Sequence, residues 1–175
     1  MIDMKQMLIN GNKRFVEDIN NSDDKKEVHN SLKNGQKPII LIICCSDSRV
    51  VPEYIFDMYF GELFVIRTAG NVINEGELAS IEYGLEHLKI KYVLVMGHTS
   101  CGAVHASIHN EQGKYLDPIL KRIKRNIGNE CLEKEASIAN AKSEADYLKE
   151  KFSYLNDVKF EYGLYDLSSN ECKIF

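Results

Sequence analysis

The spacing of apolar positions changes along the chain, and each change marks an element. Residues 3–20 carry Met4, Met7, Leu8, Phe15 and Ile19 on one helical face, which predicts an amphipathic opening helix. Residues 21–35 (NSDDKKEVHNSLKNG) are polar and begin with turn formers, so they predict a surface connection with a short helix over residues 26–32. Then comes PIILIICC at residues 38–45, unbroken and rich in β-branched side chains. A continuous apolar run of this length suits a central parallel strand covered on both faces. Residues 63–67 (LFVIR) and 92–96 (YVLVM) predict two more strands, and Leu78, Ile81, Leu85 and Leu88 mark a helix over residues 76–88. The order strand, loop, strand, helix, strand, helix implies an α/β fold with a central, mostly parallel sheet flanked by helices.

Residues 118–155 form a charged helical region with a break at Gly128-Asn129, and its Lys and Glu residues suit solvated helix faces. The tail, VKFEYGLYDLSSNECKIF, alternates in the manner of an edge strand and a hairpin, so a C-terminal edge strand is expected. With no internal repeat and no interdomain linker, residues 1–175 are expected to form a single domain with an N-terminal helical arm over about residues 1–35.

Composition narrows the functional classes. Hydrophobic residues make up 44% and charged residues 27%, an ordinary balance for a soluble chain. A formal net charge of -4 recommends neither nucleic acid nor an anionic membrane as a partner. The apolar run at residues 39–45 is far too short to span a bilayer, and the N-terminal stretch has early charges and no apolar core of a secretory signal. A cytoplasmic location is expected. Five cysteines, an odd number, argue against a disulfide framework and towards metal binding or nucleophilic chemistry.

Two segments carry that chemistry. CCSDSR (residues 44–49) follows the first predicted strand and GHTSCG (residues 97–102) follows the third, and ligands in open α/β sheets gather beyond the carboxyl ends of strands. If extended geometry persists past residue 45, Cys45, Asp47 and Arg49 share one side, while Cys44 turns to the other as a small core residue. His98 and Cys101 are three apart, which lets both converge on one ion from a tight turn or a first helical turn. With Cys45 they make two thiolates and one imidazole, a set that suits zinc with a fourth position open. Alone, H-x-x-C is a weak signal, and C-x-D-x-R is equally consistent with a surface ion pair at a strand end. A cysteine phosphatase would need an arginine six places after its nucleophile, but Arg49 is four after Cys45 and five after Cys44.

CSDSRV and GHTSCGAV resemble the β-class carbonic anhydrases, zinc enzymes that interconvert carbon dioxide and bicarbonate. GQKP before the first strand, GELFVIRTAGN around the second and SIEYGLEHL before the third extend the likeness over about residues 5–110, and FEYGLYDL matches more loosely. The resemblance implies one Zn2+ per chain on Cys45, His98 and Cys101, with Asp47 and Arg49 as the catalytic dyad. Gln36 falls where plant-type members use a glutamine to hold substrate across a dimer interface. Phe64 and Tyr83 fall at apolar pocket positions, and Gly102 follows the last ligand. Thr68 stands where the family usually has asparagine, and Ala69 where some members carry a larger pocket residue.

On this resemblance, zinc-bound hydroxide attacks carbon dioxide, Asp47 accepts the hydroxide's hydrogen bond, Arg49 keeps Asp47 off the metal and Gln36 orients substrate oxygens. A homodimer or homotetramer is implied, with the opening helix packed on the partner. The same scaffold could instead hydrolyse carbon disulfide or carbonyl sulfide, or serve as a nonenzymatic zinc-stapled binding module. A redox pair of Cys44 and Cys45 is disfavoured because adjacent cysteines make a strained disulfide.

Overall fold

A computed structural model describes residues 3–175; Met1 and Ile2 lie outside the described residues. The chain divides into two compact units, Met1–Gln36 and Lys37–Phe175. In the first, α1 (Met4–Asn20) starts where the Asp3 carboxylate accepts the Gln6 N–H at 3.1 Å. A second helix, α2 (Asp23–Leu32), starts where Ser22 Oγ accepts the Lys25 N–H at 3.4 Å. Neither helix buries a residue, and Met4, Met7, Leu8 and Val16 are exposed.

In the second unit, β1 (Ile40–Cys45) leads through a short helix, α3 (Pro52–Ile55), to β2 (Leu63–Thr68). Next come α4 (Glu75–Glu82), β3 (Tyr92–His98), α5 (Gly102–Ile108), α6 (Asp117–Ile127) and α7 (Glu133–Lys151), then β4 (Lys159–Tyr165) and β5 (Cys172–Ile174). The helix expected over residues 76–88 is α-helical only to Glu82 and continues as a π-helical turn, Tyr83–His87.

The sheet order is β2-β1-β3-β4-β5, parallel except for the β4–β5 pair. The tail forms the expected hairpin, with β5 as the C-terminal edge strand. β4 is an interior strand, parallel to β3 from Tyr92↔Lys159 to His98↔Tyr165, and the edge falls to the three-residue β5.

The two faces of β1 and β3 separate cleanly. Leu41, Ile43, Val93 and Val95 pack with Ile81 and Leu85 and with Ala141, Ala145 and Leu148 of α7. Ile42, Cys44, Leu94 and Met96 pack on the other face with Val50 and Tyr165. α7 reaches the sheet because β3 has a glycine there: a Cβ on Gly97 would stand 2.8 Å from the Ser137 carbonyl oxygen.

The reading of residues 118–155 as solvated faces fails at one position. Glu144 is fully buried and takes both prongs of the Arg122 guanidinium, at 2.8 and 2.9 Å. A buried carboxylate persists only where it is paired and hydrogen-bonded, as it is here.

Candidate metal centre

β1 connects to β2 on one side and the chain then crosses to β3 on the other. The gap beyond the carboxyl ends of β1 and β3 is therefore the switch point of the sheet. Cys45 is the last residue of β1 and His98 the last of β3. Ser100, in a left-handed conformation with φ 54°, turns the chain so that Cys101 caps the start of α5. The ligand atoms of Cys45, His98 and Cys101 all lie within 4.8 Å of one another, and all three residues are buried.

The electrostatics of this trio are compatible with a metal site. Cys45 Sγ and Cys101 Sγ are 3.9 Å apart and both cysteines are free. Two thiolates on one tetrahedral zinc, with bonds of about 2.3 Å, stand about 3.8 Å apart. The Cys45 thiol is pulled down strongly, first by the hydrogen bond from Cys101, against the opposing effect of burial. Cys101 is pushed up by the same hydrogen bond and by burial. On the imidazole, Nδ1–H donates to the Thr99 carbonyl at 2.9 Å, a partner that assigns the proton to Nδ1. Nε2, fully buried, has no hydrogen-bond partner among the described residues. A lone pair aimed at two sulfurs and left unpaired is costly by itself and is satisfied by a cation.

Asp47 and Arg49 stand beside the trio. The approach is made by a turn rather than by continued strand: the Arg49 N–H donates to Asp47 Oδ1 at 2.9 Å, and its Nε and Nη2 reach Oδ1 and Oδ2 at 2.9 and 2.7 Å. Arg49 also donates to the Ser100 carbonyl at 3.2 Å, tying the two reactive segments together. Asp47 Oδ2 lies 3.9 Å from His98 Nε2. These contacts, led by the Arg49 hydrogen bonds, hold the Asp47 carboxyl well below the usual carboxylate range. The neighbouring Cys44 is pushed up to about 12 by burial and stays a thiol on the opposite face.

Supporting groups fix this geometry. Arg67 of β2 donates to the carbonyls of Cys45 and Asp47, at 3.2 and 2.6 Å. Thr68 Oγ1 donates to the Val72 carbonyl at 2.7 Å across the turn Ala69–Asn71. Within that turn Gly70, at φ 64°, points its N–H at Cys45 Sγ, 3.4 Å away. A side chain there would be doubly excluded, by the left-handed backbone and by Ile123 Cδ1 at 2.7 Å from its Cβ. Asn140 of α7 donates to the Gly70 carbonyl at 2.8 Å. Asn140 and Gly70 went unnoticed in the sequence, because the contact spans 70 residues and no periodicity announces it.

Of the remaining sequence candidates, Gly102 adjoins Cys101, while Phe64 and Tyr83 lie elsewhere in the same unit. Phe64 and Tyr83 face each other, with ring centroids 6.3 Å apart. Phe64 sits level with Leu41, four residues before the level of Cys45, which is about 13 Å down the strand. Gly102 opens α5, exposed, with open space where a side chain would stand. Gln36 is exposed in the N-terminal unit.

A sequence model described as carbonic anhydrase matches residues 40–157. The chain belongs to the carbonic anhydrase family. Carbonic anhydrase 2 of Mycobacterium tuberculosis is 40% identical over 123 residues, 67% of this chain and 59% of that protein, so the chain matches little more than half of that relative's length. A carbonic anhydrase of Helicobacter pylori is 33% identical over 178 residues, covering 89% of this chain and 78% of its own. Among solved structures, the β-carbonic anhydrase CcaA superposes with a TM-score of 0.82 at 29% identity, covering 98% of this chain and 87% of its own. One of two tetrameric β-carbonic anhydrases from the ascomycete Sordaria macrospora gives 0.80 at 25% identity, over 98% of this chain and 95% of its own. In this family member, the matched residues 40–157 include the Cys45, His98 and Cys101 trio, the Asp47–Arg49 pair and the Asn140 support.

Proposed function

We propose that the chain catalyses the reversible hydration of carbon dioxide to bicarbonate and a proton, with one zinc ion held by Cys45, His98 and Cys101. The observation that carries the reading is the buried His98 Nε2, without a hydrogen-bond partner among the described residues, beside two free cysteine sulfurs 3.9 Å apart. Zinc at such a site supplies a Lewis acid that makes hydroxide available near neutral pH.

The chain's own groups do the rest. Asp47, ionised and gripped by Arg49, accepts a hydrogen bond from the attacking oxygen and aims its lone pair at the carbon. Arg49, anchored on the Ser100 carbonyl, holds Asp47 away from the metal ligands. The Gly70 N–H tempers the charge on Cys45, and the Thr99 carbonyl fixes the His98 ring.

The active form is a homodimer or homotetramer. Phe64 lies about 13 Å along the sheet from its own Cys45 level, so the Phe64 and Tyr83 rings serve as substrate lining only when a second copy brings them to the site. Gln36 is assigned to substrate orientation in the same way, and Gly102 to the mouth of the pocket. Exposed apolar groups, among them Ile39, Tyr54, Phe60 and Tyr83, are the surface a second copy would cover. Among the described residues no helix is long and apolar enough to cross a membrane, and all five cysteines are free, which suits the reducing cytoplasm.

Stopped-flow measurement of carbon dioxide hydration at pH 8.5, on protein of known zinc content, tests the proposal. Fast turnover at one zinc per chain supports it. Zinc-replete protein without turnover overturns it.

A further inference from the structure

A second group of metal-ligating side chains lies outside the site described above. His105 belongs to the last turn of α5 and His109 caps its C-terminus. The His109 N–H donates to the His105 carbonyl at 3.0 Å, so helical geometry still relates the two residues and sets both imidazoles on one face. Their ring centroids are 4.2 Å apart. Glu133, the first residue of α7, reaches His105 Nδ1 with Oε1 at 2.6 Å. One ligand atom from each of His105, His109 and Glu133 lies within 4.8 Å of the others.

We propose that His105, His109 and Glu133 form a second, surface metal site that takes a divalent first-row transition ion. A plain ion pair accounts for His105 and Glu133, but it leaves a second imidazole packed against the first, tilted by 47°, with no role. Two imidazoles and one carboxylate are borderline donors that suit Zn2+, Ni2+, Co2+ or Cu2+ rather than Mg2+ or Ca2+. Neighbouring donors around such an ion stand about 3–3.5 Å apart, given bonds of about 2.0–2.2 Å. The 2.6 Å His105–Glu133 contact must open by about half an ångström to admit it. Both side chains have room, being 50% and 41% exposed. The helix i,i+4 relation fixes the two nitrogens before binding, and three protein donors leave positions open to water. An occupied site would tie the end of α5 to the start of α7. It differs from the zinc trio in exposure and in its lack of thiolate, so it is weaker and exchangeable.

The test titrates zinc-loaded protein with Ni2+ by calorimetry, with zinc and nickel counted per chain after gel filtration. The expected result is one added Ni2+ per chain with zinc retained. Ni2+ should broaden the His105 and His109 imidazole proton resonances before those of His29 or His87. His109→Ala and Glu133→Gln, both changes at exposed side chains, should each weaken Ni2+ binding at least about tenfold while zinc content stays the same. Failure to bind a further ion, Ni2+ uptake only by displacement of zinc, or undiminished Ni2+ binding in His105→Ala/His109→Ala protein would each overturn the proposal. The readout counts ions and does not depend on carbon dioxide hydration, so it stands or falls apart from the proposed function.

Discussion

The Asn140 carboxamide, buried in α7, holds the carbonyl of Gly70, and the N–H of that same glycine points at Cys45 Sγ. One residue of the helical layer is thereby linked through a single glycine to a sulfur of the proposed metal site. Asn140 also accepts from Asn126 Nδ2 at 2.9 Å, and Asn126 in turn donates to Glu144. Removing it leaves a buried carbonyl and frees the Ala69–Asn71 turn. Asn140→Ala should cost about 1–3 kcal/mol of stability. It should also weaken zinc binding by about 10–100-fold, the usual effect of losing a partner that orients a ligand. Chelator competition on folded protein measures the second effect. Unchanged zinc affinity in a destabilised variant would make Asn140 a packing residue only.

The roles of Cys45 and Asp47 separate by substitution. Cys45→Ser removes a thiolate from the trio and should lose zinc and hydration together. Asp47→Asn keeps all three ligands, so zinc should stay near one per chain while turnover falls by about 10²–10⁴-fold. Metal analysis paired with stopped-flow rates distinguishes the two. A fully active, zinc-replete Asp47→Asn protein would remove Asp47 from the reaction.

Much of this site was legible because its chemistry sits where the apolar pattern stops. PIILIICC marks a buried strand by its continuity, and the alternation of side chains separates Cys45 from Cys44, as the two core faces bear out. What stayed hidden depends on contacts distant in sequence. Glu144 looked like one more solvated charge, because its partner Arg122 lies 22 residues away on another helix. The turn after Cys45 is not announced by the apolar pattern, because the Arg49–Asp47 fork bends it.

The Arg122–Glu144 pair should be strongly asymmetric to mutation. Arg122→Met leaves the Glu144 carboxylate fully buried with only Asn126 donating to it. Uncompensated buried charge costs about 3–5 kcal/mol. Arg122 also lies over the Tyr147 ring, with its guanidinium carbon 4.4 Å from the centroid, so Lys is a poor substitute. The double variant Arg122→Met/Glu144→Leu should recover most of the loss, because it removes both charges and keeps the volume. Urea midpoints of the single and double variants provide the comparison. A double variant no more stable than Arg122→Met would mean that the pair's geometry, rather than its burial, supports α6 on α7.

Asp166, just after β4, gives stability a defined acid dependence. Its Oδ1 accepts from Ser168 Oγ at 2.6 Å and from the Ser168 N–H at 3.0 Å, and its Oδ2 pairs with Lys134 of α7 at 3.1 Å. These bonds, the Ser168 hydroxyl first, hold the carboxyl well below the ordinary range. A carboxyl lowered in the folded state binds fewer protons there than in the unfolded chain. Its stabilisation is therefore full above the unfolded value of about 4, declines as pH drops below it and vanishes below the folded value. Asp166→Asn should be less stable than the wild type at pH 7, and the difference should shrink between pH 4 and pH 3. Urea midpoints of both proteins at pH 7, 4 and 3 measure it. A gap that stays constant across that range would show that the carboxylate charge contributes nothing and that the Ser168 bonds alone hold the β4–β5 turn.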